Sequence, residues 1–168
     1  MDIKTKKIIS IASIILLIIT TVSLFYMVNT SRDLELKSGT HFCKIEISNE
    51  DNTKIFNWNI GISNNKTKTS IIENEFNNKL LEEFRSTLGK MIIKKYKIFY
   101  LLLFSIFVSI VFASVQKDSQ LYKNKNNKLV FQIFFILLII FLIYRIIISF
   151  VDLNGLYKDI NYYFKLIS

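Results

Sequence analysis

The 168-residue chain has no proline, four glycines, one cysteine and one histidine. The lone Cys43 excludes an intrachain disulfide and any zinc site built on paired cysteines. It reads as a small hydrophobe on a strand, with an intermolecular disulfide left open in an oxidising compartment. With His41 as the sole imidazole, an HExxH motif and every two-histidine metal site are excluded too. Arginine is scarce: Arg32, Arg85 and Arg145 stand among 22 basic residues, so the net charge of +9 does not point to nucleic acid. There is no Gly-rich phosphate loop and no nucleophile elbow. Glu82 and Glu83 are adjacent, hence on different helix flanks, and read as solvated surface. No catalytic residue, cofactor site or metal ligand is expected, and the chain reads as a non-enzyme.

Charge is missing from three stretches. Residues 8–28, 98–115 and 129–151 hold none of the 22 Lys+Arg and 13 Asp+Glu except Arg145. A helix advances about 1.5 Å per residue and the hydrocarbon core is about 30 Å thick, so about 18 apolar residues suffice to span it. On this pattern a wholly soluble fold is ruled out. The predicted fold class is an α-helical integral membrane protein with three transmembrane helices and a small α+β extramembrane segment. The apolar fraction of 51% would not decide this alone; its distribution does. No glycine or proline breaks any span, so the discontinuous helices typical of a transporter site are not expected. The surplus of Lys, Ile, Asn and Phe reads as codon bias, which discounts the asparagine clusters as a prion-like signal.

The first run follows Lys4, Lys6 and Lys7 and is 21 residues long. That exceeds the roughly 7–15 of a secretory h-region, and no A-x-A site follows. It reads as an uncleaved signal anchor. The basic N-terminal tail, residues 1–7, contrasts with a balanced far flank of Arg32, Asp33, Glu35 and Lys37. The loop 116–128 is likewise basic, with Lys117, Lys123, Lys125 and Lys128. Both comparisons place the N-terminus and this loop in the cytoplasm, and the C-terminus outside. Lys90, Lys94, Lys95 and Lys97 dissent, because they sit on the outer side of the second span.

Residues 29–97 form the extracytoplasmic segment. In 41–48, Cys43, Ile45 and Ile47 alternate with Lys44 and Glu46; in 53–63, Phe56, Trp58, Ile60 and Ile62 alternate with Asn57, Asn59 and Gly61. Period-two alternation with the turn-forming 49–52 between predicts a β-hairpin over 41–63. Ser70 and Glu73 have capping-box spacing, and Ile72, Phe76, Leu80, Phe84 and Leu88 follow at helical intervals. They predict an amphipathic helix over 71–92 whose apolar stripe covers the hairpin, Trp58 included, or alternatively lies on the lipid surface, helped by the lysines of 90–97. The tail 152–168 is expected to turn at Asn154-Gly155 and then lie as a short interfacial helix on the membrane.

Some residues carry sharper hypotheses. Ser105, Ser109 and Ala113 recur every fourth residue and read as a helix-packing face, since small residues let backbones approach. Arg145 is the intramembrane charge; it lies in the outer third of its span and reads as a snorkelling side chain, helped by Asp152. Asn65 is the credible N-glycosylation acceptor, and Asn29 is a second sequon that abuts the membrane. The order of anchor, strand-rich outer segment and cytoplasmic loop resembles the first half of claudin-like tetraspan proteins in topology. Cys43 has no partner, however, it precedes Trp58, and a fourth span is absent, so no residue role carries over. The function expected is a multi-pass membrane protein of structural, assembly or interaction type. Its partners would be the lipid bilayer and a protein partner or a second copy, without nucleic acid. The alternative is a small channel or transporter subunit acting as an oligomer.

Overall fold

A computed structural model describes residues 3–30, 34–50, 53–116 and 125–167. Three α-helices and four β-strands follow in the order α1 (Ile3–Thr30), β1 (Glu35–Ser38), β2 (His41–Glu50), β3 (Thr53–Ser63), β4 (Lys66–Ile72), α2 (Asn78–Gln116) and α3 (Lys125–Leu166). The chain divides into two compact units. One joins Met1–Phe25 to Tyr96–Phe150 and is helical; the other joins Tyr26–Lys95 to Val151–Ser168 and holds the sheet.

The sheet is a four-stranded antiparallel meander, β1-β2-β3-β4. The predicted hairpin lies at its centre, paired from Phe42↔Gly61 to Glu50↔Thr53. The outer strands were not foreseen. Register explains which face is buried. Leu36 pairs with Cys43 and Cys43 with Ile60, while Ile45 pairs with Trp58 and Trp58 with Ile71, giving two cross-strand rows on one face. Leu36, Cys43, Ile45, Trp58 and Ile60 of these rows are all buried.

Two positions need glycine. Gly39 is the first residue of the two-residue β1–β2 loop and has φ of +69°, the conformation a II′ hairpin turn reserves for glycine. Gly61 lies opposite Phe42, whose ring occupies the space a Cβ would need. Gly61→Ala should lower the stability of this unit by about 1–2 kcal/mol through overpacking. In a Phe42→Ala background the loss should nearly vanish, a double-mutant cycle that thermal unfolding can read.

The helix expected over 71–92 begins later, at Asn78, because β4 takes 66–72. Thr67, Thr69, Ile71 and Ile72 are β-branched and favour a pleated surface. Glu73 continues the ladder, its N–H donating to Phe56 O at 3.0 Å. The capping box forms four residues downstream of the predicted one. Asn74 Oδ1 accepts from the N–H groups of Phe76 and Asn77 at 2.9 and 3.0 Å, and Asn77 Oδ1 accepts from Asn74 N–H at 2.8 Å. This reciprocal pair satisfies the donors that a helix start leaves unpaired. Ser70, far from capping, is a bulge residue with φ of +56°, and its N–H donates to Asn59 Oδ1 at 2.9 Å.

The predicted outer helix and second span are one helix, α2, of 39 residues; the third span and tail are likewise one helix, α3, of 42. Nothing between 93 and 97 can break α2. The turn expected at Asn154-Gly155 is absent, because Leu153, Ile160, Phe164 and Ile167 bury themselves at helical spacing and burial overrides local propensity. Leu81, Phe84, Leu88, Met91 and Ile92 give α2 its buried stripe in the same unit. Phe84 and Phe164 approach to 6.4 Å between ring centres. Lys68 of β4 donates to the Ile167 carbonyl and lies 5.1 Å over the Phe164 ring, which ties the sheet edge to the end of α3. A lysine there also complements the helix dipole.

Candidate functional site

In the helical unit, α2 meets α3 through Val108, Phe135 and Leu142, flanked by Leu101, Phe104, Val111, Phe112, Leu138 and other apolar side chains. The Phe112 and Phe135 rings lie 5.2 Å apart. Aromatic bulk makes this seam. Ser105, Ser109 and Ala113 fall outside that cluster: Ser105 is half-buried, and Ser109 and Ala113 are exposed. Ser105 Oγ donates to Leu102 O at 2.7 Å and Ser109 Oγ to Ser105 O at 2.9 Å. Each hydroxyl is thus satisfied on its own helix, so the stripe presents an apolar environment with no unmet donor.

Arg145 is half-buried on α3. Its expected helper is engaged elsewhere, since Asp152 Oδ2 lies 2.6 Å from Lys94 Nζ of α2. A lysine on the neighbouring helix reaches that carboxylate. Asn65 is exposed in the two-residue turn between β3 and β4, and Asn29 falls in the last turn of α1. Cys43 is buried, and burial pushes its thiol up to about 12, which keeps it protonated and unreactive. His41 is held below its ordinary value by burial and by the nearby Lys95 ammonium, so the neutral imidazole is favoured.

One feature of the sheet unit was not read from the sequence. Leu36 of β1 and Glu82, Arg85, Ser86, Gly89, Lys90 and Ile93 of α2 line a groove of about 290 Å³. Leu36, Gly89 and Ile93 give it an apolar lining; Glu82 and Arg85, 3.8 Å apart, and Lys90 give it charge. Leu34, Glu35, Leu36 and Lys37 alternate, a signal for the edge strand that borders it, but the run is too short to stand out. The lining offers a carboxylate and two cations with no arrangement of nucleophile and base. Among the described residues no three acidic, histidine or cysteine side chains cluster as metal ligands.

Neither protein-family models, nor characterised proteins, nor solved structures give a match to this chain. Two of its helices are long and apolar enough to cross a membrane, with mean hydropathy of 2.6 and 2.9 over their most apolar windows.

Proposed function

We propose that the chain is a three-span integral membrane protein of non-enzymatic assembly type, built to hold a small sheet unit at the membrane surface. One observation carries the reading. Only 17% of the apolar window of either α2 or α3 is buried within the protein. A core helix of a soluble protein hides such a window; here Ile106, Ile110, Leu137 and Ile140 point outward. Contiguous apolar surface of this extent calls for lipid or a protein partner. α1 contributes the third span through its apolar residues 8–28. Residues 26–95 and 151–168 belong to one unit, which supports an even number of crossings between them and hence one side for both. The small-residue face of Ser105, Ser109 and Ala113, uncommitted to α3, is the surface offered to a second copy or a partner helix. On an extracytoplasmic side, the exposed Asn65 would be the accessible glycosylation acceptor.

Cysteine accessibility tests the topology. The native Cys43 is buried and its thiol protonated, so it gives no background labelling. In intact cells an impermeant thiol reagent should label Asn65→Cys and leave Asn126→Cys unmodified until the membrane is opened. Equal labelling of both positions, or the reverse order, would sink the arrangement.

A further inference from the structure

α2 carries Lys90, Lys94, Lys95 and Lys97 within eight residues, just before the apolar run that starts at Ile98. Their surroundings differ. Lys94 is neutralised by Asp152. The Lys95 ammonium instead stands 5.6 Å from the centre of the Tyr157 ring. His41 meets that same ring edge-on, 5.3 Å between centres. A Cβ at Gly39 would come to 4.0 Å from the ammonium, so the β1–β2 turn forms the third wall. Among the described residues no carboxylate pairs with Lys90, Lys95 or Lys97. The half-buried Lys95 therefore faces a ring, an imidazole and a glycine turn, with no anion to balance it. A ring face is a partial substitute for an anion.

We propose that this corner of Lys95, His41, Tyr157 and the Gly39 turn, with Lys97 two residues further along α2, binds the phosphate of an acidic phospholipid headgroup. The inference rests on the membrane reading above. Position selects the lipid among anions. Lys95 is three residues before Ile98, and Tyr157 six after Val151, so in sequence the corner lies within two helical turns of where the second apolar run begins and the third ends. Basic side chains at that depth are attracted to acidic leaflets. The neutral His41 imidazole keeps one N–H to donate to the phosphate; burial first, and then the Lys95 charge beside it, hold the ring below its ordinary basicity.

Native mass spectrometry of the full chain in mild detergent tests this, with phosphatidylglycerol and phosphatidylcholine of identical acyl chains as probes. Phosphatidylglycerol should bind at about tenfold lower concentration than phosphatidylcholine. Lys95→Gln together with Lys97→Gln should bring the two lipids to within about twofold, whereas Lys54→Gln with Lys66→Gln, on the hairpin and its edge, should leave the preference intact. Trp58 emission shows that each variant keeps its fold. Equal binding of both lipids by the native chain, or a preference that survives the Lys95/Lys97 change, overturns the proposal. Displacement of phosphatidylglycerol by millimolar inorganic phosphate also overturns it, assigning the corner to a free anion. A chain that stays monodisperse once detergent is removed would instead overturn the membrane reading, and this proposal with it.

Discussion

Trp58→Ala should destabilise the sheet unit by about 3–5 kcal/mol, the range for emptying a large aromatic site in a core. The side chain is 1% exposed and shares a cross-strand row with Ile45 and Ile71. Its indole Nε1 donates to Glu73 Oε2 at 2.9 Å, which holds the residue after β4 against β3. Two contributions are separable. Trp58→Phe keeps most of the apolar volume and removes the N–H, so it should lose about 1.5–3 kcal/mol, in keeping with a hydrogen bond to a charged acceptor. Phe76→Ala, at a position 93% exposed, should change stability by no more than about 0.5 kcal/mol. Pulse proteolysis of the full chain in detergent with increasing urea reads all three. Trp58 is the only tryptophan, so the native emission should be blue-shifted and resistant to iodide. Red-shifted, readily quenched emission, or a Trp58→Ala variant as stable as the native chain, would remove Trp58 from the core.

The centre of this sheet was readable because each strand has one face in a core and one in water. Cys43, Ile45, Trp58 and Ile60 alternate with polar neighbours, and alternation is the direct imprint of that asymmetry. β4 left no such imprint. Lys66-Thr67-Lys68-Thr69-Ser70 is polar at every position, and Lys68 enters the inner row opposite Ile60 with its ammonium turned to the end of α3. Its threonines were the available signal, but a capping-box spacing at Ser70 and Glu73 outweighed them. The box that formed uses Asn74 and Asn77, a pair whose amides both donate and accept, and spacing alone does not rank it above Ser–Glu.

The helices teach the converse. Absence of proline made continuous α2 and α3 legible in principle, while Asn154-Gly155 suggested a break. Tertiary burial decided against the break, for Leu153, Ile160, Phe164 and Ile167 gain a core only if the helix runs on. Neither Gly89 nor Gly155 has a neighbour within 4 Å of where a Cβ would sit, so these glycines are tolerated in the helices rather than required by packing. The corner of Lys95, His41 and Tyr157 could not be read in advance, because its members are scattered along the chain and meet only through the sheet. Asp152 illustrates the same limit: two turns from Arg145 in sequence, it pairs with Lys94 instead.

Ile140→Asp combined with Leu137→Asp should abolish stable membrane integration of α3. Both positions face outward, 57% and 61% exposed, near the middle of the apolar run 129–151. If water covered them, each change would be a surface substitution worth about 0.5 kcal/mol or less, and the like charges three residues apart would add only a few tenths. If hydrocarbon covers them, each aspartate at the helix centre costs about 2.5–3.5 kcal/mol on insertion scales, so the pair costs about 5–7 kcal/mol. A single change is absorbed in part by the many neighbouring Ile, Leu and Phe side chains, which is why the double variant is the decisive one. Because α1 and α2 would still hold the chain in the bilayer, labelling of Tyr162→Cys by an impermeant thiol reagent in intact cells measures the outcome. The otherwise native chain should be labelled and the double variant protected until the membrane is opened, with Phe76→Asp in the sheet unit as the control expected to stay labelled. A double variant that is more soluble and equally well folded would show that water, not lipid, bathes this face of α3. Loss of labelling in the double variant alone would tie the exposed apolar surface of α3 to the bilayer.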